Sequence, residues 1–214
     1  MRHIKHIKAI GDCAGISILH ILFNLIVTTY QSVLFLHVVA IHWQGRFLVH
    51  QPPDLRDWVN LAQFVVGFLG QLVLLYLISV LPPHRPAQTR LAIIAFFSFL
   101  AVSLIPALGE IFVAEDDRAI YGALLTAVWL FILGPMMQLL GIAAFCVQAR
   151  ETMSRGEPGA LSISGLLIQS VVFFVVGVSF LLRLKMPSET WQGPYMAGMR
   201  DWYWRVGWAT INQI

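Results

Sequence analysis

LAIIAFFSFLAVSLIPALGEIFV, residues 91–113, contains one ionisable side chain, Glu110. A helix needs roughly 20 apolar residues to cross the hydrocarbon core of a bilayer, so this stretch reads as a membrane span. Four more stretches of similar character lie around it, at about 14–42, 58–81, 119–147 and 160–182. The expected fold is therefore an all-α polytopic transmembrane helix bundle of about five spans, with its membrane domain between residues 14 and 185. A short basic segment, residues 1–13, precedes it, and a Trp-rich tail, residues 186–214, follows.

Composition points the same way. Charged residues make up 12 % of the chain and hydrophobic residues 58 %, where a soluble domain carries about 25 % charged residues. Mean hydropathy is +0.75. Five helices this apolar would have no polar face to offer to water. The net charge of +3 is spread over the segment ends, where lipid phosphates lie. No basic stripe tracks a nucleic acid, so the expected surroundings are the lipid bilayer and no nucleic acid is expected as a partner.

The N-terminal residues Arg2, Lys5 and Lys8 precede an apolar run far longer than the 7–15 residues of a cleavable signal, and the first span is read as an uncleaved anchor. The 14 Lys and Arg residues divide evenly between the two sides of a five-span chain. Arg200 lies too far from a span end to count fully in the positive-inside rule, which leaves a slight lean towards a cytoplasmic N-terminus. Which membrane holds the chain is not specified. Prolines at 52–53, 82–83 and 86 break the chain between spans, and no internal repeat of the transporter kind is present. Pro106 and the Gly134-Pro135 pair fall inside spans, where each proline removes one helical hydrogen bond and favours a kink. Residues 198–209 read as an amphipathic interfacial helix, with Trp202, Tyr203, Trp204 and Trp208 at headgroup level.

Polar residues inside the spans are the candidate functional groups. At 100° per residue, Cys13, Ser17, His20, Asn24, Thr28 and Gln31 fall within an arc of about 80° on the first span, while His37 points elsewhere. Unpaired, such groups cost several kcal/mol each in hydrocarbon, so the stripe is expected to face other helices or water. The second span offers Asn60, Gln63 and Gln71, the fourth Thr126 and Gln138, the fifth Gln169. Interhelical hydrogen bonds of this kind are also ordinary membrane glue.

Glu110 is the one acid within a span and is a functional candidate on that ground; the alternative is a hydrated position near the surface with Arg118 as partner. His20 and His37 are the histidines well inside a span, and spans two to five contain none, so two facing axial ligands for a haem are missing, while a single axial ligand or a pigment bound through one histidine stays open. The cofactor is left unknown and no metal site is expected: the sequence has no His-Glu-x-x-His, cysteine pair, phosphate loop or nucleophile elbow.

The first functional expectation is a membrane-embedded protein, in some forms an enzyme, that receives a lipophilic small molecule. Glu110 is its acid, His20, Asn24 and Gln31 its polar wall, and Gln138 beside the Gly134-Pro135 kink its floor. A non-catalytic subunit of a larger membrane complex or a homo-oligomer is the second class. A transporter or channel subunit is the third.

Residues after Pro187 are expected not to cross the membrane. Tags at the C-terminus and in the segment from Gln148 to Gly159 should then show opposite protease access in sealed vesicles; access from the same side would overturn the five-span count.

Overall fold

The computed structural model describes Cys13, residues 15–41, 55–82 and 86–155, and three isolated helical positions, Leu167, Val171 and Phe174. The fifth span, the Trp-rich tail and the basic N-terminal segment otherwise lie outside the described residues. Among the described residues all regular structure is helical. α1 (Ile18–Leu36) runs on into a π-helical turn, His37–Ile41. α2 (Leu55–Val80) and α3 (Pro86–Gly109) follow, the latter ending in a 3₁₀ turn, Glu110–Phe112. α4 (Glu115–Val128), a π-helical turn (Trp129–Leu133) and α5 (Gly134–Arg155) form one continuous rod.

Four of these helical rods are long and apolar enough to cross a membrane: Ile18–Ile41, Asp57–Val80, Pro86–Phe112 and Glu115–Arg155. The chain is an integral membrane protein by this measure, and the pattern of burial agrees. Val66, Val102, Ile105, Leu124, Phe131, Leu139 and Phe145 are exposed, whereas the fully buried side chains include His37, Glu110 and Thr29. An exterior this apolar around an interior that holds charge suits lipid and not water.

The helix ends follow from local sequence. Pro86 opens α3, where a missing N–H costs nothing. Glu115, Asp116 and Asp117 occupy the first turn of α4, where negative charge complements the helix dipole. These acids, read from sequence as a connection, thus begin the last of the four described rods. Arg118 turns back and donates from Nη2 to the carbonyls of Ile111 and Val113, at 3.2 and 3.1 Å. It therefore caps the end of α3. At the other end the helix continues past residue 147 to Arg155, whose Nε donates to Glu151 at 2.7 Å. Its 41 residues correspond to about 61 Å at 1.5 Å per residue, twice the hydrocarbon thickness, so charged ends project from an apolar middle.

α1 is the centre of the bundle. It packs along α2, α5 and α3, while α2 and α3 barely touch each other. In the most apolar window of α1 half of the residues are buried, against 17 % to 28 % in the other three rods. Three apolar clusters hold these contacts. Ile21, Leu22 and Leu25 meet Leu75, Ile78 and Phe96; Tyr30, Val33 and Leu34 meet Ala107, Trp129 and Met137; Phe35 and Val39 meet Leu61 and Phe64. Lipid is as apolar as these side chains, so close packing and interhelical hydrogen bonds carry the association.

Both proline sites are stabilised by tyrosines. Pro135 has no N–H, and the five residues before the Gly134-Pro135 step wind as a π turn, a form that proline-interrupted helices adopt locally. The Trp129 carbonyl accepts from the Gly134 N–H and also from the Tyr30 hydroxyl of α1, at 2.9 Å. Tyr121 donates to the Pro106 carbonyl at 3.1 Å.

The entry to α1 depends on one amide. Gly15 adopts φ 91°, a left-handed conformation that glycine enters without strain. Its carbonyl accepts from Gln148 Nε2 at 2.7 Å, while Gln148 Oε1 accepts from the Ser17 N–H at 3.0 Å. Gln148 is buried. Gln148→Leu should leave a buried donor and a buried acceptor unmatched, a loss of about 1–3 kcal/mol for each. Thermal unfolding in detergent should report a clearly lowered Tm with membrane insertion intact.

Candidate functional site

Polar groups concentrate at two levels of α1. His20 and His37 are 17 positions apart, about 26 Å along a helix and close to the roughly 30 Å thickness of a bilayer core. The two clusters therefore lie towards opposite membrane faces.

At the first level His20 Nδ1 lies 3.0 Å from the Ala144 carbonyl of α5. A carbonyl only accepts, so Nδ1 carries the proton. Asn24 Nδ2 stands 3.2 Å from both ring nitrogens and 3.0 Å from the His20 carbonyl. With Nδ1 already a donor, only Nε2 can accept from the Asn24 amide. Phe145 meets the imidazole edge-on, centroids 6.3 Å apart. Further along the stripe, Thr28 bonds back to the Asn24 and Leu25 carbonyls, which satisfies its hydroxyl within the helix. Ser17, His20, Asn24, Thr28 and Gln31 are all half-buried.

At the second level Glu110 and His37 are each 0 % exposed, with His37 Nδ1 3.3 Å from Glu110 Oε2. The other ring nitrogen, Nε2, lies 3.2 Å from Thr126 Oγ1 of α4. Trp129 packs edge-on to the same imidazole, centroids 5.0 Å apart at 83°. The His37 side chain is thus fixed from three sides, by the turn after α3, by α4 and by the π turn. Asp57 and Asn60 are also buried, on α2 near this end of the bundle.

Of the residues expected from sequence, Glu110 is buried in the interior and faces His37, not Arg118. His20 and Asn24 touch each other. Gln31 is half-buried between the two levels, and Gln138 is exposed on α5 among the described residues. The structure does not gather these five residues into one cluster. His37 is the residue that the helical-face reading passed over. It lies off the polar stripe, but α1 is surrounded by helices, so a position off the stripe is still interior. Depth gives the missing signal: the first and third spans run parallel, and His37 and Glu110 both stand within about two turns of the same ends.

No group of three or more His, Cys, Asp or Glu residues able to hold an ion occurs among the described residues. Comparisons with family models, with curated proteins and with solved structures gave no match. The site therefore rests on its own chemistry. An imidazole and a carboxyl at this distance inside an apolar layer can exchange a proton between them or with a third group.

A mutant cycle tests the pair. Removing one partner of a buried pair leaves the other uncompensated, at a cost of about 3–5 kcal/mol, whereas replacing both with apolar residues is often neutral. His37→Leu should therefore destabilise the protein strongly, and His37→Leu with Glu110→Leu should recover most of the lost stability. Additive losses in unfolding measurements would mean that the two residues do not interact.

Proposed function

We propose that this membrane protein receives a lipophilic small molecule whose polar head engages the His37–Glu110 pair, and that Glu110 serves there as an acid. The observation that supports this reading most is the complete burial of a carboxyl and an imidazole, 3.3 Å apart, between two helices long and apolar enough to cross a membrane. Ionisable groups in such a place are costly and mark functional sites by default. Glue alone is a poor explanation, because neutral amides and hydroxyls hold membrane helices together without the cost of desolvating charge. In this reading His20, Asn24 and Gln31 form the polar wall met by the remainder of the molecule along α1.

A transporter is the second reading, favoured by a different observation. Polar clusters lie at both ends of α1, joined by the half-buried positions Asn24, Thr28 and Gln31, as a conduit requires.

Gentle purification followed by mass spectrometry of small molecules separates these readings. A stoichiometric lipophilic compound is expected with the native chain. Glu110→Gln should reduce it at least about tenfold, since a hydrogen bond to a charged group contributes about 1.5–3 kcal/mol. Ser154→Ala, at the exposed end of α5, should leave it unchanged. Flux of a solute through reconstituted vesicles without a retained compound would favour the transporter. Copurification of other membrane subunits alone would overturn the proposal in favour of a complex subunit.

A further inference from the structure

We infer that α1 and α2 hold a binding site for the alcohol group of a membrane-soluble molecule, between Ser32 and Gln71 and independent of His37 and Glu110.

Two polar atoms in this interface are unmatched. Ser32 is 8 % exposed, and its Oγ and the Gln71 Oε1 are both buried without a hydrogen-bond partner among the described residues. The neighbouring hydroxyls behave differently: Thr28 and Thr29 bond back to carbonyls of their own helix. Native structures leave few buried polar atoms unmatched, and in hydrocarbon no bulk water is at hand to serve them.

Packing brings the two residues to one place. Phe35 of α1 meets Phe64 of α2, centroids 4.6 Å apart, while Leu25 shares an apolar cluster with Leu75 and Ile78, so the helices are antiparallel. Between these contacts Ser32 is level with about residue 67 and Gln71 with about residue 28, an offset of about four residues or about 6 Å. At 100° per residue Ser32 falls inside the arc of about 80° that holds Leu25, Phe35 and Val39, and Gln71 falls between Phe64 and Ile78. Both therefore face the partner helix, whereas His37 lies about 140° around α1 from Ser32, towards Glu110 and Thr126. Side chains lean towards the N-terminus of their own helix, so on antiparallel helices Ser32 and Gln71 lean towards each other across the offset. They do not bond to each other, which leaves a gap with a hydroxyl on one wall and an acceptor on the other.

A guest hydroxyl fits both walls. Its oxygen accepts from the Ser32 O–H, and its own hydrogen is donated to Gln71 Oε1 without leaving the guest. A carbonyl or an ether serves Ser32 alone, and an ionised group would find no counter-charge on either residue. Water fits two partners poorly, since a buried water makes about three hydrogen bonds. An alcohol has one hydrogen to place, and its apolar body suits the neighbours Phe68 and Leu72. The way in is open on one flank of α2. A Cβ added at Gly67 or Gly70 would meet no side chain and no other helix within 4 Å among the described residues, and Gly67 is exposed, level with Ser32.

The probe is a diazirine-bearing hexadecanol, crosslinked by light to the full-length protein in phosphatidylcholine vesicles and located by peptide mass spectrometry. Label is expected on α1 and α2 beside Ser32 and Gln71. The methyl ether of the probe, which cannot donate, should label these residues about fivefold less, the factor that one neutral hydrogen bond provides. Gln71→Leu should lower the alcohol label by a similar factor and abolish its advantage over the ether, whereas Ser32→Ala should lower both labels together. Gly67→Leu should block the flank and remove the label, with thermal stability retained because the added side chain enters open space. Should Gln71→Leu fail to fold, the ether comparison and Gly67→Leu still decide. Equal labelling by alcohol and ether in the native chain, labelling unaltered in Gln71→Leu and Gly67→Leu, or no label on α1 and α2 would each overturn the inference, the last in favour of a bound water. His37 and Glu110 take no part in these measurements, so failure here leaves the proposed function standing.

Discussion

A carboxyl group in the hydrocarbon layer has to be matched by something other than water, and His37 stands beside it, 3.3 Å from Glu110. The requirement reaches well beyond the two residues. It fixes the relative depth of α1 and α3, since the end of one must bring its imidazole level with the acid at the end of the other. It also fixes α4, whose Thr126 meets the far side of the ring. Apolar helices slide and rotate against one another at little cost in lipid, whereas a buried polar contact specifies register. Packing in the three apolar clusters then completes an arrangement already defined at that end.

The other end of α1 is specified by a neutral device. Gln148 joins α5 to the turn before α1 with two hydrogen bonds, and His20 adds a third contact one turn further in. These amide and imidazole bonds satisfy backbone groups that the start of a helix leaves open. The central helix is therefore held by amide and imidazole bonds to backbone groups towards one face and by an imidazole–carboxyl contact towards the other. Such asymmetry is informative about function: both ends need register, and only one of them sets a carboxyl beside an imidazole.

Four of the expected spans and the all-helical class of the described residues were legible in the sequence because apolar length is a direct measure of the solvent around a helix. The candidate site was legible in part. Glu110 was identified by its cost, and the His20–Asn24 part of the stripe by its periodicity. The 80° arc could not place His37, because a helical wheel divides a helix into one inner and one outer face. A helix surrounded by three others has no outer face of that kind. Connections were read too broadly for a related reason. The charges of residues 115–118 and 148–155 end the apolar stretch without ending the helix, since the acids complement the helix dipole and Gln148 is docked on α1.

The two π turns bear on how the pair is held. One starts at His37 and the other at Trp129, and these two side chains are in contact. A π turn widens the helix and leaves its backbone bonds less regular, which is why such turns recur at functional positions. On the rod formed by α4 and α5 the cause is visible in the sequence, because Pro135 removes the N–H that a regular helix would use. The widened turn brings Trp129 against the His37 ring, and Tyr30 stabilises it by donating to its first carbonyl. Proline, tyrosine and tryptophan thus act together to confine one imidazole.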